Sequence, residues 1–454
     1  METKSSYLPV LMLFLLSANL LAQKEKVAQT PPMGWNSYNA FGATVRESEV
    51  RDNVDFISKN LLKVGWQYVV IDFCWFYPHH PLSKQDNPPQ FRLPKDGSYV
   101  PWLAMDKYGR LLPDVGKFPS AGDGKGFKPL ADYIHNQGLK FGIHVMRGIP
   151  RQAVWEKSPV KGVAGIDASM IADTNSTCGW LNNMYGLDMS KKGAQEYLNS
   201  ILDLYAEWGV DFVKVDDILS PYYAPEIEGF RKAIDKCGRP IVFSTSLNAP
   251  LDKAGHISKN ANMWRISADF WDNWKQLYEM FDHANNWTPY RAPGTWPDCD
   301  MLILGRLSRR GPVGDERESN FTKDEQRTHF TLWSIAQSPL MYGGDLRVCD
   351  LFTLSLISNP EVIAINQHSS DARQLYRKDD IVVWVSSMNE DEKLNVAIFN
   401  LGDQIRSVAF NFADIGIKGS HEVRDVWQQK SLGKIRNIYE QQINSHGCIL
   451  LQIN

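Results

Sequence analysis

The sequence predicts an α/β protein, a (β/α)8 TIM barrel followed by a C-terminal antiparallel β-sandwich domain. Two observations carry the prediction. Between about residues 30 and 345, short β-rich runs alternate with amphipathic helical stretches eight times, the count of a (β/α)8 barrel with insertions. After about residue 370 the helical period vanishes, and only short strands divided by turn residues remain. The expected boundaries are 28–367 for the barrel and 370–454 for the sandwich.

The strand candidates of the first region are Met33–Tyr38, Tyr68–Phe73, Lys140–Met146, Asp211–Asp217, Pro240–Ser246, Trp264–Asp269, Asp300–Leu304 and Leu340–Gly344. Several are continuous apolar runs, as parallel strands buried on both faces require. Helical periodicity fills Ser48–Val64, Gly193–Trp208, Pro225–Lys236, Asp272–Ala284 and Thr322–Ala336, and Thr322 with Glu325 has capping-box spacing. Residues 77–125 and 148–190 exceed what a minimal barrel needs. Each leaves the carboxyl end of a strand, where barrel active sites are built, and long structured loops there are more often functional than idle. In the second region Ile381–Ser386, Leu394–Phe399, Ser407–Asn411 and Cys448–Ile453 read as antiparallel strands that pack against the barrel.

Composition narrows the function classes. The chain has 454 residues, 43% hydrophobic and 22% charged, which excludes disorder and fibrous repeats. Forty-nine Lys and Arg against 52 Asp and Glu leave a net charge of −3, without the basic excess that nucleic-acid binding wants. Fifteen Trp suit either a large core or a surface that stacks on sugar rings. The apolar run from Tyr7 to Leu21 is short of the ~20 residues of a membrane span, and Ala22 precedes a polar stretch. Residues 1–22 are therefore expected to be a signal peptide, and the mature protein to be exported, periplasmic or secreted, with no membrane span. The six Cys are scattered singly, no C-x-x-C occurs, and no His pair has ligand spacing, so neither a metal nor a cofactor is expected. His79-His80 lies in a Pro-rich loop and reads as solvated.

Carboxylates gather at the predicted strand ends. Strand four reads Asp211-Phe-Val-Lys214-Val-Asp216-Asp217, and alternation puts Lys214 and Asp216 on one face. A Lys beside a carboxylate holds it ionised, as a nucleophile requires. Strand six ends in Asp269 with Arg265 four residues upstream, strand seven offers Asp300, and strand two offers Asp72. Two carboxyls without metal ligands suggest glycoside hydrolysis, one attacking the anomeric carbon and the other protonating the leaving oxygen.

These residues form a familiar series. Pro31-Pro-Met-Gly-Trp-Asn-Ser-Tyr-Asn39, Tyr68-Val-Val-Ile-Asp72-Phe-Cys-Trp75, Phe212-Val-Lys-Val-Asp216, Trp264-Arg265…Asp269, Asp298…Asp300-Met301-Leu302 and Ser338-Pro-Leu-Met-Tyr-Gly-Gly-Asp345-Leu-Arg347 follow one another in order. The series resembles glycoside hydrolase family 27, the α-galactosidases and α-N-acetylgalactosaminidases. The resemblance implies a retaining exo-glycosidase for terminal α-linked galactose-type sugars, with Asp216 as nucleophile and Asp269 as acid/base. It puts Tyr38, Asp72, His144, Lys214, Ser246, Arg265 and Asp300 at substrate-binding or supporting positions. The expected partner is a carbohydrate, an oligo- or polysaccharide or glycoconjugate.

Departures from the family pattern open the choice of sugar. The usual Asp-Asp pair at the end of strand two, which grips O4 and O6 of galactose, is Asp72-Phe73 here. His144 stands where a Tyr is usual, and Tyr38 replaces the commoner Trp. Ser246 and Ala249 resemble the small pair that leaves room for a 2-acetamido group. The α-galactosidase reading leads; α-N-acetylgalactosaminidase, β-L-arabinopyranosidase and a non-catalytic sugar-binding relative are the alternatives.

Overall fold

The computed structural model describes residues 27–78, 91–92, 100–390 and 393–454. The predicted signal segment and His79-His80 lie outside them. Eight parallel strands form the first sheet: β1 (Met33–Asn36), β2 (Tyr68–Ile71), β3 (Lys140–Met146), β4 (Phe212–Asp216), β5 (Val242–Thr245), β6 (Met263–Arg265), β7 (Trp296–Asp298) and β8 (Leu340–Tyr342). They pair in the order β7-β6-β5-β4-β3-β2-β1-β8, and a bridge from Leu302 to Tyr342 joins the two ends, so the sheet is a barrel. The strands touch so closely that a Cβ on Gly34 of β1 would sit 2.3 Å from the Tyr68 carbonyl of β2. Only a glycine fits there.

Around this barrel run α1 (Glu47–Asn60), α2 (Lys128–Asn136), α3 (Ala194–Trp208), α4 (Ala224–Lys236), α5 (Ala254–Asn260), α6 (Trp274–Trp287), α7 (Lys323–Ile335), α8 (Leu351–Ile357) and α9 (Pro360–His368). In α1, Val50, Val54 and Ile57 fall at helical spacing and are buried. The Thr322 capping box closes reciprocally, Glu325 N donating to Thr322 Oγ1 at 3.2 Å and Thr322 N to Glu325 Oε2 at 2.7 Å. No described helix is long and apolar enough to cross a membrane.

Two strand predictions need correction. The seventh strand is Trp296–Asp298, not Asp300–Leu304: Asp300 adopts φ +80°, a left-handed turn that ends the ladder and leaves only Leu302 paired beyond it. The sixth strand stops at Arg265, so Asp269 sits in the loop four residues past its end.

The insertion after β3 forms a small sheet of Ile149–Pro150, Ala172–Thr177 and Met184–Leu187. Beyond the barrel come β9 (Ser369–Lys378), β10 (Ile381–Met388), β11 (Leu394–Asn400), β12 (Arg406–Asn411), β13 (Ser420–Asp425), β14 (Lys430–Arg436), β15 (Ile438–Ile443) and β16 (Cys448–Ile453). Six make one antiparallel sheet in the order β9-β10-β11-β16-β13-β14, and β12 pairs with β15. Along β10 and β11 alternate residues serve different cores. Val382, Trp384, Ala397 and Phe399 join the barrel's core, whereas Val383, Val385, Val396 and Ile398 face Phe410, Tyr439 and Ile443 inside the sandwich. This two-sided burial explains why the strand reads Ile-Val-Val-Trp-Val with no polar alternation.

Phe399 is fully buried, its ring edge-on to Phe281 of α6 at 4.9 Å. Phe399→Ala should cost about 3–5 kcal/mol as both a lost contact and a cavity. In denaturant titrations followed at barrel and sandwich together, the shift should appear in both; two separated transitions, one unmoved, would show that the domains do not share this core.

Candidate active site

At the carboxyl ends of the barrel strands lies a cavity of about 220 Å³, lined by Tyr38, Asp72, Phe73, Trp180, Lys214, Asp216, Leu247 and Asp269. Strand register creates the cluster. Lys214 and Asp216 of β4 share a face, and on the neighbouring β3 His144 lies in register with Lys214. Asp72 follows directly on β2, and Tyr38 follows β1 with its amide donating to Asn36 Oδ1 at 2.9 Å.

The charges pair inside the barrel. Lys214 Nζ donates to Asp72 Oδ2 at 3.0 Å, and the same oxygen accepts from Asn36 Nδ2 at 2.7 Å. Burial pushes the Asp72 carboxyl up, but Lys214, His144 and these hydrogen bonds overcome it and hold its pKa well below the usual carboxylate range. Asp216 Oδ2 meets His144 Nε2 at 3.1 Å, and its Oδ1 accepts from Asp217 N at 2.8 Å. Burial again opposes ionisation, yet the His144 hydrogen bond and the charges of His144 and Lys214 bring the Asp216 pKa below its ordinary value. Lys214 itself is pushed down by burial but raised further by Asp72 and Asp216, so it stays charged. Its hydrogen-bonded carboxylate is thus Asp72, and the direct contact to Asp216 comes from His144.

Arg265 organises the other wall. One guanidinium nitrogen reaches Asp269 Oδ1 at 3.0 Å and another Asp300 Oδ1 at 2.9 Å. Asp300 Oδ2 accepts from Phe270 N at 2.8 Å, which ties the loop carrying Asp269 back to the barrel. Burial raises the Asp300 pKa to about 7; Arg265 opposes this, while Asp269 and Asp298 add to it. Three carboxyls share one guanidinium, so the most enclosed of them keeps its proton into the neutral range. Tyr38, raised by burial and by the surrounding carboxylates, remains a neutral phenol.

The cavity therefore brings Tyr38, Asp72, Lys214, Asp216 and Asp269 to one surface. His144, Arg265 and Asp300 are buried and hold its carboxylates. Ser246 is buried outside the lining, and Leu247 takes the place expected of it. Two residues of the site lie outside the predicted set: Trp180, whose signal is an aromatic within the long insertion after β3, and Asn36, which belongs to the Pro31–Asn39 motif and donates to Asp72. Among the described residues no group of three His, Cys, Asp or Glu could hold a metal.

Comparison with known proteins fits this geometry. A family model described as Alpha galactosidase A matches residues 188–368, and one described as Alpha galactosidase C-terminal beta sandwich domain matches 378–453. A Geobacillus stearothermophilus β-L-arabinopyranosidase of glycoside hydrolase family 27, one variant of which was solved in complex with arabinose, is 47% identical. The match covers 95% of this chain and 98% of that one, with a TM-score of 0.90. The chain belongs to glycoside hydrolase family 27. It is a glycosidase. A Bacillus halodurans structure provisionally described as an α-N-acetylgalactosaminidase is 43% identical, covering 93% and 97% of the two chains at a TM-score of 0.82. The α-galactosidase of Cyamopsis tetragonoloba is 29% identical, covering 93% of this chain and 85% of its own.

The family 27 barrel thus encloses an ion pair whose loss has a calculable sign. Lys214→Met strands a buried Asp72 and should destabilise by about 3–5 kcal/mol, with Asp72→Asn in that background restoring part of the loss. Because Asp72 is depressed in the fold, its contribution is present above its unfolded pKa of ~3.9 and is lost as pH falls through the lower folded value. Unfolding titrations from pH 7 downwards should show that slope in the wild type and a weaker one in Asp72→Asn.

Proposed function

We propose that the protein is a retaining exo-glycosidase that removes a terminal galactose-configured sugar by double displacement, and that this sugar is a pentose, β-L-arabinopyranose. Asp216 is the nucleophile: its depressed pKa keeps it ionised, and it attacks the anomeric carbon as the glycosidic C–O bond breaks. Asp269, half exposed at the mouth, donates a proton to the departing oxygen. It then takes a proton from the water that attacks the glycosyl-enzyme, releasing the sugar and freeing Asp216. Arg265 orients the Asp269 carboxylate, and Asp72, Lys214 and Tyr38 offer hydrogen bonds to ring hydroxyls.

The observation that carries the choice of sugar is Phe73. β-L-Arabinopyranose has the ring configuration of α-D-galactopyranose without the hydroxymethyl group on C5. Where the family's second strand-two carboxylate would receive O6, this protein has a phenyl ring packed edge-on against Tyr38 at 5.9 Å and His144 at 5.8 Å. That side chain accepts no hydrogen bond, and a buried hydroxyl left unpaired there would cost ~1–3 kcal/mol. A sugar lacking the hydroxymethyl avoids the cost. The 47% identity to the arabinopyranosidase supports the same choice. The 2-acetamido reading is the second choice: the Bacillus halodurans relative favours it, but Ser246 is buried and Leu247 lines the cavity.

Nitrophenyl glycosides test both parts. Asp216→Asn should abolish turnover with the fold intact, whereas Asp269→Asn should spare glycosylation by substrates with good leaving groups, which need little protonation. Wild-type activity of either variant on a natural glycoside would remove that residue from its role.

Wild-type kcat/KM should be highest on the β-L-arabinopyranoside, and Phe73→Asp should move preference towards the α-galactoside. A folded Phe73→Asp protein that loses activity on α-galactoside, α-N-acetylgalactosaminide and β-L-arabinopyranoside alike would show the ring to be a required platform rather than a selector.

A further inference from the structure

The cavity, at about 220 Å³, has room for one sugar ring, and its mouth carries more aromatic surface than that ring needs. Four aromatic side chains follow one another in an arc: Trp180 lies 5.9 Å from Phe73, Phe73 is 5.9 Å from Tyr38, and Tyr38 is 6.4 Å from Trp271. The inner two, Phe73 and Tyr38, are walls of the cavity. Of the outer two, Trp180 comes from the insertion after β3, which a minimal barrel does not require. Trp271 stands two residues after Asp269, in the loop past β6, and is only half-buried. Trp180 is 47% exposed, although it also lines the cavity.

Such exposure is not the result of a loose loop. The insertion that displays Trp180 is fastened at several points. Arg147 Nη2 donates to Ser176 Oγ at 2.9 Å while the same guanidinium, buried, pairs with Asp217 and Glu226. Arg151 Nη1 donates to the Asn182 carbonyl at 3.0 Å, and its amide to that of Asn183 at 3.0 Å. Trp271 is braced in its turn. Its amide donates to Gln276 Oε1 at 2.8 Å, and Arg317, ion-paired to Asp272, lies 5.9 Å from its ring. A large indole, Trp180, thus stands on a fastened insertion at the mouth and is left open to water, which folding alone would not favour.

We propose that Trp180 forms a leaving-group subsite that stacks the next sugar ring of the substrate. The proposal rests on the glycosidase reading above, because the ring bonded to the cleaved oxygen must emerge beside Asp269, and Asp269 and Trp180 line the same cavity. Pyranose rings present an apolar C–H face that suits an indole, while their hydroxyls stay in solvent. The substrate is then an oligo- or polysaccharide bearing a terminal pentose, and small alkyl pentosides are poor mimics of it.

The test compares kcat/KM on a methyl β-L-arabinopyranoside with that on a disaccharide in which the same pentose is linked to a hexopyranose. The wild type should favour the disaccharide by about tenfold, and Trp180→Ala should bring that ratio towards one, with Trp180→Phe retaining most of it. A wild-type ratio near one, or variants that lower both substrates in equal proportion, would overturn the subsite while leaving the pentosidase assignment standing. A wild type inactive on both compounds but active on α-galactosides would instead overturn the choice of sugar, and the disaccharide ratio measured with galactose in place of the pentose would then decide the subsite by the same criterion.

Discussion

The arrangement at the barrel mouth depends on burying charge in balanced pairs. Asp72, Lys214, Asp216, Arg265, Asp298 and Asp300 are all less than 10% exposed, in a region where a single uncompensated ion would cost several kcal/mol. Lys214 answers Asp72, His144 answers Asp216, and Arg265 stands between Asp269 and Asp300. Such pairs do not by themselves add much stability. They fix position, because no member can move without stranding another. The same balance shapes the protonation of the site: His144 and Lys214 hold Asp216 below its ordinary pKa, whereas burial, helped by two carboxyl neighbours, raises Asp300 to about 7 against the pull of Arg265.

The sandwich enters this economy through packing. Its main sheet contributes one face to the barrel's core and the other to its own, so β10 and β11 are buried on both sides. Helix α7 lies at that junction. Thr331 Oγ1 accepts from Trp427 Nε1 at 2.9 Å, and Thr328 Oγ1 donates to the His446 carbonyl at 2.7 Å. On the barrel side, Trp333 of the same helix donates its indole N–H to the Asp300 carbonyl at 2.7 Å. One helix therefore touches both the second domain and the corner that supports Arg265.

The tryptophans settle a choice that composition leaves open. Trp35, Trp66, Trp75, Trp264, Trp333 and Trp384 are fully buried and build the core, while Trp180 stands at the cavity mouth. The core reading holds for those six, and Trp180 keeps the exposure that a stacking surface needs. Composition cannot separate them because burial is a property of the neighbours and not of the side chain.

Sequence alone determined the barrel, the sandwich and most strands, because buried parallel strands and amphipathic helices leave periodic apolar patterns that local reading detects. It also brought forward Asp72, Lys214, Asp216, Arg265 and Asp269, because strand alternation and chain order place them near one mouth. Tertiary structure decided who pairs with whom. Lys214 is two residues from Asp216 in the chain but hydrogen-bonds Asp72, 142 residues away, since β4 and β2 flank β3 and their side chains meet inside the barrel. It also ended β6 at Arg265 and β7 ahead of the turn at Asp300, put Leu247 rather than Ser246 in the lining, and brought Trp180 from a distant insertion beside Phe73. Local pattern fixes which face a residue occupies; closure of the barrel fixes what it faces.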